Sequence, residues 1–88
     1  MIMTIKEQIC DLNPDAILWD GFDGAIIGYE ISLNVVIYDV DKMISIFIEG
    51  MDEDDDDDPQ TTALEYLHYN VFSTHVGEYT PKHIKLFE

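Results

Sequence analysis

The sequence predicts a single α+β domain in which a small antiparallel sheet packs against two or three helices. Two neighbouring segments are rich in β-branched and aromatic residues, and three others carry apolar residues at helical spacing after a capping residue. The chain has 88 residues, enough for one domain, and 47% of them are hydrophobic, more than a disordered chain contains. Because these apolar faces can be buried only against one another, we expect the helices to cover the sheet.

The first helix is predicted near residues 4–12. Thr4 and Glu7 have the spacing of a capping box, in which each side chain accepts from the backbone N–H of the other residue. The apolar stripe of this helix consists of Ile5, Ile9 and Leu12. Asn13-Pro14 either closes the helix, because a residue before proline disfavours the helical conformation, or starts a second turn with Pro14 at its first position. The sequence leaves these alternatives open.

The sheet is predicted from residues 25–31 and 35–38, which form an antiparallel hairpin through a short connection at residues 32–34. A last strand is expected near residues 84–87. Pro81 lacks a backbone N–H for a central ladder, so this strand is expected at an edge of the sheet.

The most strongly patterned helix spans residues 40–49. Asp39 is its expected N-cap, and Gly50 is expected to end it in the left-handed conformation. Its apolar positions recur at intervals of three and four residues and are Val40, Met43, Ile44, Phe47 and Ile48.

A third helix is predicted at residues 59–70. Asp58 is its expected cap, Pro59 occupies the first helical position and Asn70 marks its end. One side of this helix carries Ala63, Leu64, Leu67 and Val71.

The charge of the chain is strongly negative. Nineteen acidic residues face four lysines and no arginine, which gives a formal net charge of −15. Because arginine is the preferred residue for forked pairing with phosphate, direct binding of nucleic acid is not expected. Without the seven acids of residues 52–58, the remaining 81 residues still carry 12 acids and 4 lysines, a net charge of −8. The acidity therefore belongs to the whole domain.

The cysteine content and the N-terminus bear on the cellular compartment. Cys10 is the single cysteine, so the chain has no internal disulfide framework, which suits a reducing cytosol. There is no basic segment followed by an apolar one at the N-terminus and no apolar stretch of 18 residues. We expect a cytoplasmic protein that is neither secreted nor membrane-spanning.

Three stretches carry a resemblance to a known group of proteins. They are Asn13-Pro14-Asp15-Ala16 leading into the sequence DGFDGAIIGY at residues 20–29, then YDVDK at residues 38–42, and finally residues 65–81 with the motifs YNV and VGEYTP. Together they resemble a widespread group of small, functionally uncharacterised proteins encoded by bacteriophages and prophages. The resemblance implies a phage origin and a common fold, but none of these motifs is a known catalytic signature. Small acidic phage proteins are often inhibitors of host defence or of host nucleic-acid enzymes, so the resemblance also implies that class of function.

The acidic run at residues 52–58 is predicted to be an exposed linker, and it also distinguishes this chain from that group. The members of the group join the two later helices by a short acidic turn, so a role of the longer run need not be shared by them. One interpretation of the run is a calcium loop of the EF-hand type, with Asp54, Asp56 and Asp58 at positions 1, 3 and 5 and Glu65 at position 12. Position 6 of such a loop requires glycine, and here it is Pro59, whose φ is restricted to about −65°. We therefore expect only weak, nonspecific cation binding.

Two interpretations of the acidic run remain. In the first, a compact and strongly negative protein occupies the basic groove of a DNA-binding partner and releases the counterions of that partner. In the second, the run is a solvated linker that keeps the protein soluble. If the first holds, the expected partner-binding residues are Glu49, Asp52, Glu53, Asp54, Asp55, Asp56, Asp57 and Asp58.

The other chemically capable residues have structural interpretations that we favour. His68, His75 and His83 are separated by seven and eight residues, which is no compact zinc-ligand spacing, so we expect surface or half-buried histidines. The turn and cap positions of Asp20, Asp23, Asp39 and Asp41 explain these residues without catalysis. Cys10 is expected to be a buried hydrophobe on the apolar side of the first helix. We expect no enzyme, no cofactor and no metal site.

The aromatic residues are expected to build most of the core of so small a domain. They include Trp19, Phe22, Tyr29, Tyr38, Tyr66, Tyr69, Phe72 and Tyr79. Any that remain exposed beside carboxylates are expected to anchor an interface, because tyrosine and tryptophan are enriched at binding hot spots.

The function predicted from charge and resemblance is that of a small acidic phage protein. We expect it to act as a non-enzymatic inhibitor of a basic host protein that handles nucleic acid or serves in defence, with mimicry of nucleic acid as one mode of inhibition. The alternative is an interaction or assembly module that binds through apolar or aromatic surface, with its acidity serving only solubility.

Overall fold

The computed structural model describes residues 3–51 and 58–87, which form three α-helices and a three-stranded mixed sheet. The helices are α1 (Ile5–Leu12), α2 (Val40–Glu49) and α3 (Pro59–Leu67), and the strands are β1 (Ile26–Glu30), β2 (Val35–Asp39) and β3 (Lys82–Ile84). A short 3-10 helix (Asp23–Ala25) precedes β1, and a π-helical turn (His68–Phe72) extends α3. The predicted α+β class is confirmed.

The predicted hairpin is present. Strands β1 and β2 pair antiparallel, with Tyr29 opposite Val36 and Glu30 opposite Val35. Asn34 closes the connection in the left-handed conformation, with φ of 58°, and its backbone N–H donates to the carbonyl oxygen of Glu30 at 2.8 Å. The Tyr29 hydroxyl donates to the Asn34 side-chain oxygen at 3.1 Å, so strand and turn hold each other in register.

The third strand corrects the prediction of a wholly antiparallel sheet. β3 pairs parallel to β2, with Tyr38 opposite His83, and it begins before the predicted residues 84–87. The strand order β1-β2-β3 places it at an edge, as Pro81 indicated. Parallel neighbouring strands need a long crossover connection, and here α2 and α3 lie between β2 and β3 in the chain.

Helix α1 begins with the predicted capping box. The Thr4 hydroxyl accepts from the backbone N–H of Glu7 at 3.1 Å, and the Glu7 carboxylate accepts from the backbone N–H of Thr4 at 3.4 Å. The helix closes at Asn13, which is extended, and no second helical turn follows among residues 14–19. The Asn13 amide instead donates to the carbonyl oxygen of Asn34 at 3.0 Å, so the end of α1 is fastened to the hairpin.

The apolar stripe of α1 is only partly buried. Ile9 lies in the core, whereas Ile5 and Leu12 are 50% and 56% exposed. Cys10 is exposed, so the prediction of a buried hydrophobe there is wrong. The reason is that α1 contributes only Ile9 to the core, so the other side chains of this helix remain in contact with solvent.

The two later helices begin as predicted, and α2 also ends at Glu49 before Gly50 as predicted, whereas the C-cap conformation of α2 and the end of the third helical segment differ from the prediction. Asp39 caps α2 and Asp58 caps α3, with Pro59 in the first turn. Gly50 adopts a right-handed conformation with φ of −85°, so the predicted left-handed cap is wrong. Asn70 does not end the helical segment either, because the chain continues through the π-helical turn as far as Phe72.

The core lies between the sheet, α2 and α3. Its fully buried side chains include Tyr38 and Val36 of β2, Met43 of α2 and Leu67 of α3. Phe47 packs against this core but is only half-buried. No helix in residues 3–51 and 58–87 is long and apolar enough to cross a membrane.

Candidate partner-binding surface

Two of the predicted partner-binding residues, Glu49 and Asp58, belong to the part of the chain that the structure describes. The others, Asp52 to Asp57, lie outside the described residues. Glu49 is the exposed last residue of α2. Asp58 is exposed as well, and its carboxylate accepts from the Thr61 backbone N–H at 3.2 Å and from the Thr61 hydroxyl at 2.7 Å. These hydrogen bonds to Thr61 lower the pKa of Asp58, which keeps its carboxylate ionised.

Glu49 and Asp58 lie near opposite ends of α2. Asp58 lines a shallow cleft together with Val40, Asp41 and Ile44, which belong to the first half of that helix. Glu49 follows Val40 by nine residues, which corresponds to about 14 Å along a helix axis. The two carboxylates therefore frame an extended acidic surface and do not form a single compact cluster.

Most carboxylates of the described residues face solvent. Ten are exposed, namely Glu7, Asp11, Asp15, Asp20, Asp23, Asp41, Glu49, Asp58, Glu65 and Glu78. Within residues 3–51 and 58–87, two of these ten pair with a lysine: Asp23 with Lys6 at 3.2 Å and Asp41 with Lys85 at 2.7 Å. Apart from Asp58, the other exposed carboxylates in this list have no lysine partner among residues 3–51 and 58–87.

The four aspartates that were predicted at turns and caps have structural roles. Asp39 is buried, and its carboxylate accepts from the Asp41 backbone N–H at 3.0 Å as the cap of α2. Asp41 and Asp23 form the two lysine pairs, and Asp20 lies exposed in a turn. The structure thus explains these four residues by caps, turns and ion pairs.

The position of α3 argues further against an EF-hand. Positions 6 to 12 of the hypothetical calcium loop run from Pro59 to Glu65, and all of them are helical. A calcium loop needs glycine in a sharp turn at position 6 and a backbone carbonyl ligand at position 7, whereas Pro59 and Gln60 lie in the first turn of α3. Asp54 and Asp56 lie outside the described residues, but the half that is described has the wrong backbone for this site.

All three histidines line one cleft of about 690 Å³, which the sequence spacing did not indicate. The cleft also contains Lys82 and Lys85. His68 and His75 are exposed, and His83 is half-buried, in agreement with the expected surface or half-buried positions. No sequence signal could have revealed the cleft, because β3 brings His83 back to the π-helical turn only through the tertiary fold.

His83 is held as a neutral imidazole by an aromatic cluster. The Trp19 indole Nε1–H donates to His83 Nε2 at 2.8 Å, and the rings of Tyr38 and Phe72 lie 6.1 and 4.8 Å from the imidazole. Burial, with a smaller effect of the neighbouring Lys82 charge, lowers the pKa of His83. Because the lone pair of Nε2 accepts this hydrogen bond, it is not free to bind a metal ion. Among residues 3–51 and 58–87, no group of three or more histidine, cysteine or acidic side chains is placed to hold a metal ion.

Of the eight aromatic residues that were expected mostly in the core, one is fully buried, and four are partly buried against the core, namely Trp19, Phe22, Tyr29 and Phe72. Tyr38 is fully buried, whereas Tyr69 is 82% exposed and Tyr66 is 46% exposed. The Tyr66 ring packs against Phe47, with 4.6 Å between the ring centroids. Glu65 precedes Tyr66 in α3 and lies about one turn before Tyr69 of the π-helical turn, so exposed aromatic rings and a carboxylate share one region at the end of this helical segment.

A second surface feature is an apolar groove of about 220 Å³ between α1 and β1. It is lined by the exposed Ile5 and Leu12 of α1 and by Ile27 and Tyr29 of β1. β1 is also an outer strand of the sheet, so one of its edges carries no neighbouring strand among the described residues. This groove is a second candidate binding surface, and it is apolar where the first is acidic.

No family model, curated protein or solved structure matches this chain. Its function must therefore be inferred from the charge, exposure and geometry of its own residues.

Proposed function

We propose that this protein is a non-enzymatic phage protein that binds a basic, nucleic-acid-handling host or defence protein through its acidic surface and inhibits it. The observation that carries the proposal is the exposure of ten carboxylates among the described residues. The phage origin rests on the sequence resemblance alone. Glu49 and the acids of residues 52–58 are the partner-binding residues of this proposal.

The physical basis of such binding is electrostatic. Duplex DNA presents one charge per about 1.7 Å of its axis, and proteins that bind it carry basic grooves surrounded by counterions. A protein with a net charge of −15 can occupy such a groove and release those ions. The absence of arginine fits this role, because the chain has no residue of its own for forked phosphate recognition.

The test is capture of host proteins on the immobilised chain at low and at high salt, followed by competition with duplex DNA. Charge-driven binding weakens as ionic strength rises, and DNA displaces a partner held through its nucleic-acid groove. The matched variant replaces the six acids of residues 52–57 by their amides and keeps Asp58, because Asp58 caps α3. Partners that bind equally at both salt concentrations and resist DNA would refute the proposal.

The second candidate function is an interaction or assembly module that binds through apolar surface. The groove between α1 and β1 favours this function. Ile5 and Leu12 line it and are about half exposed, and exposed apolar patches often mark sites of protein interaction. Association through this groove should persist at high salt and should be lost when Leu12 is replaced by glutamate. The same capture experiment therefore separates the two functions.

A further inference from the structure

The exposed face of α3 combines acidic and aromatic groups. Glu65 and Tyr66 are exposed near the end of α3, and the exposed Tyr69 follows Glu65 by four residues in the π-helical turn that extends the helix, so the three side chains share one region of the surface. We call Glu65, Tyr66 and Tyr69 the acidic–aromatic face. It lies on a helix whose opposite side carries the buried Ala63 and Leu67, so the core fixes its orientation.

The two tyrosines of this face are presented differently. The Tyr66 ring is held by its contact with Phe47, while the Tyr69 side chain is 82% exposed. Within the described residues, no ring or lysine partner is recorded for Tyr69, and Glu65 has no lysine within ion-pair distance. An aromatic ring and a carboxylate one helical turn apart are thus both available to an incoming group.

These groups have the chemistry that recognises a guanidinium. A planar guanidinium stacks on an aromatic face and donates forked hydrogen bonds to a carboxylate, whereas an ammonium group acts mainly as a point charge. We propose that the acidic–aromatic face binds an arginine-containing segment of the basic partner. This inference rests on the proposed function and adds to it the side chain that the partner presents.

Charge complementarity selects this occupant over the others. A second copy of the chain offers no arginine and brings a net charge of −15, so it would be repelled. A nucleobase could stack on Tyr69, but its phosphates would meet Glu65 and the surrounding acids. The guanidinium of an arginine in the partner can stack on the Tyr69 ring and also donate hydrogen bonds to the Glu65 carboxylate.

The test measures binding of two fluorescent probes, a decapeptide of arginine and a decapeptide of lysine, to the full chain at about 150 mM salt. We expect the arginine peptide to bind more tightly by about threefold or more, which is the size of a cation–π contribution. Tyr69→Ala should remove this preference, and Tyr69→Phe, which keeps the ring, should restore it. Glu65→Gln should weaken the arginine peptide more than the lysine peptide.

The matched control is Asp15→Asn, which removes an exposed carboxylate outside the acidic–aromatic face. It should leave the ratio of the two affinities unchanged. If the wild-type chain binds both peptides equally, or if Tyr69→Ala keeps the preference, the arginine inference is wrong while the proposed charge-driven function stands. If neither peptide binds even at low salt, both the inference and the proposed function fail. Circular dichroism of each variant establishes that it is folded.

Discussion

His83 joins three separate parts of the chain through one imidazole ring. It belongs to β3, accepts a hydrogen bond from Trp19 in the loop before β1, and contacts Phe72 in the π-helical turn. Protonation of His83 would place an N–H against the Trp19 N–H, so the hydrogen bond exists only with the neutral ring. The protonation state of one residue therefore affects contacts between distant segments.

A pH dependence of stability follows from the lowered pKa of His83. As the pH falls through about 6.5, the unfolded chain takes up a proton on this histidine before the folded protein does. The stabilisation is therefore complete above that pH and is lost progressively below it. We expect a lower melting temperature at pH 5.5 than at pH 7.5.

The variant His83→Gln tests the origin of this effect, because its amide oxygen can still accept from Trp19 and does not titrate in this range. Thermal unfolding should show a smaller difference between pH 7.5 and pH 5.5 in the variant than in the wild type. An unchanged difference would assign the pH dependence to other groups.

The hydrogen bond to the Tyr38 hydroxyl is a second contact of a single residue whose loss should measurably lower stability. It accepts from the Trp19 backbone N–H at 2.8 Å, and Tyr38 is fully buried. Tyr38→Phe leaves this donor without its acceptor, which should lower the free energy of unfolding by about 1–3 kcal/mol. Urea denaturation measures the loss. Tyr69→Phe is the control, because this hydroxyl is solvent-exposed and its removal should change stability by less than about 0.5 kcal/mol.

At the scale of the elements, α2 provides a graded test of packing. Met43 is fully buried and Phe47 is half-buried against Tyr66. Met43→Ala should cost about 2–5 kcal/mol, and Phe47→Ala should cost less than the 3–5 kcal/mol of a fully buried phenylalanine, or about 1–3 kcal/mol. Urea denaturation of both variants gives the order. A loss below about 1 kcal/mol for Phe47→Ala would place that side chain on the surface.

The starts of the helices were predictable from sequence because their signals are local. The Thr4–Glu7 capping box and the caps at Asp39 and Asp58 each depend on a backbone N–H two or three residues away. The hairpin was predictable for the same reason, since its strands are separated by four residues. Local propensity and capping therefore account for most element boundaries.

The features that the sequence did not predict depend on distant contacts. The parallel pairing of His83 with Tyr38 joins residues 45 positions apart, and no short pattern encodes it. The exposure of Cys10 follows from how little of α1 reaches the core, which is a tertiary property. For the candidate site, the acidity of Glu49 and Asp58 was predictable from composition, whereas the exposure of Tyr69 in the π-helical turn became evident only from the fold.

At the scale of the whole molecule, the net charge works against folding. A net charge of −15 on 88 residues repels itself in the compact state, and the two described lysine pairs relieve only part of that repulsion. Exposed ion pairs contribute about 0–1 kcal/mol each, too little to offset such a field. The fold therefore depends on its apolar core, and the excess charge is the feature that our proposal assigns to a basic partner.

The last prediction concerns this repulsion. Replacing Asp54, Asp55, Asp56 and Asp57 by serine, with Asp58 kept as the cap of α3, should leave the fold intact and raise the melting temperature at low salt. Salt screens exposed charges over about 10 Å at 0.1 M and about 3 Å at 1 M. The gain should therefore shrink as sodium chloride is raised from about 0.02 M to about 1 M, while the wild-type chain itself becomes more stable. Melting curves of both proteins across this range measure the effect, and a large fall in melting temperature of the serine variant would instead mean that these aspartates make contacts that the fold requires.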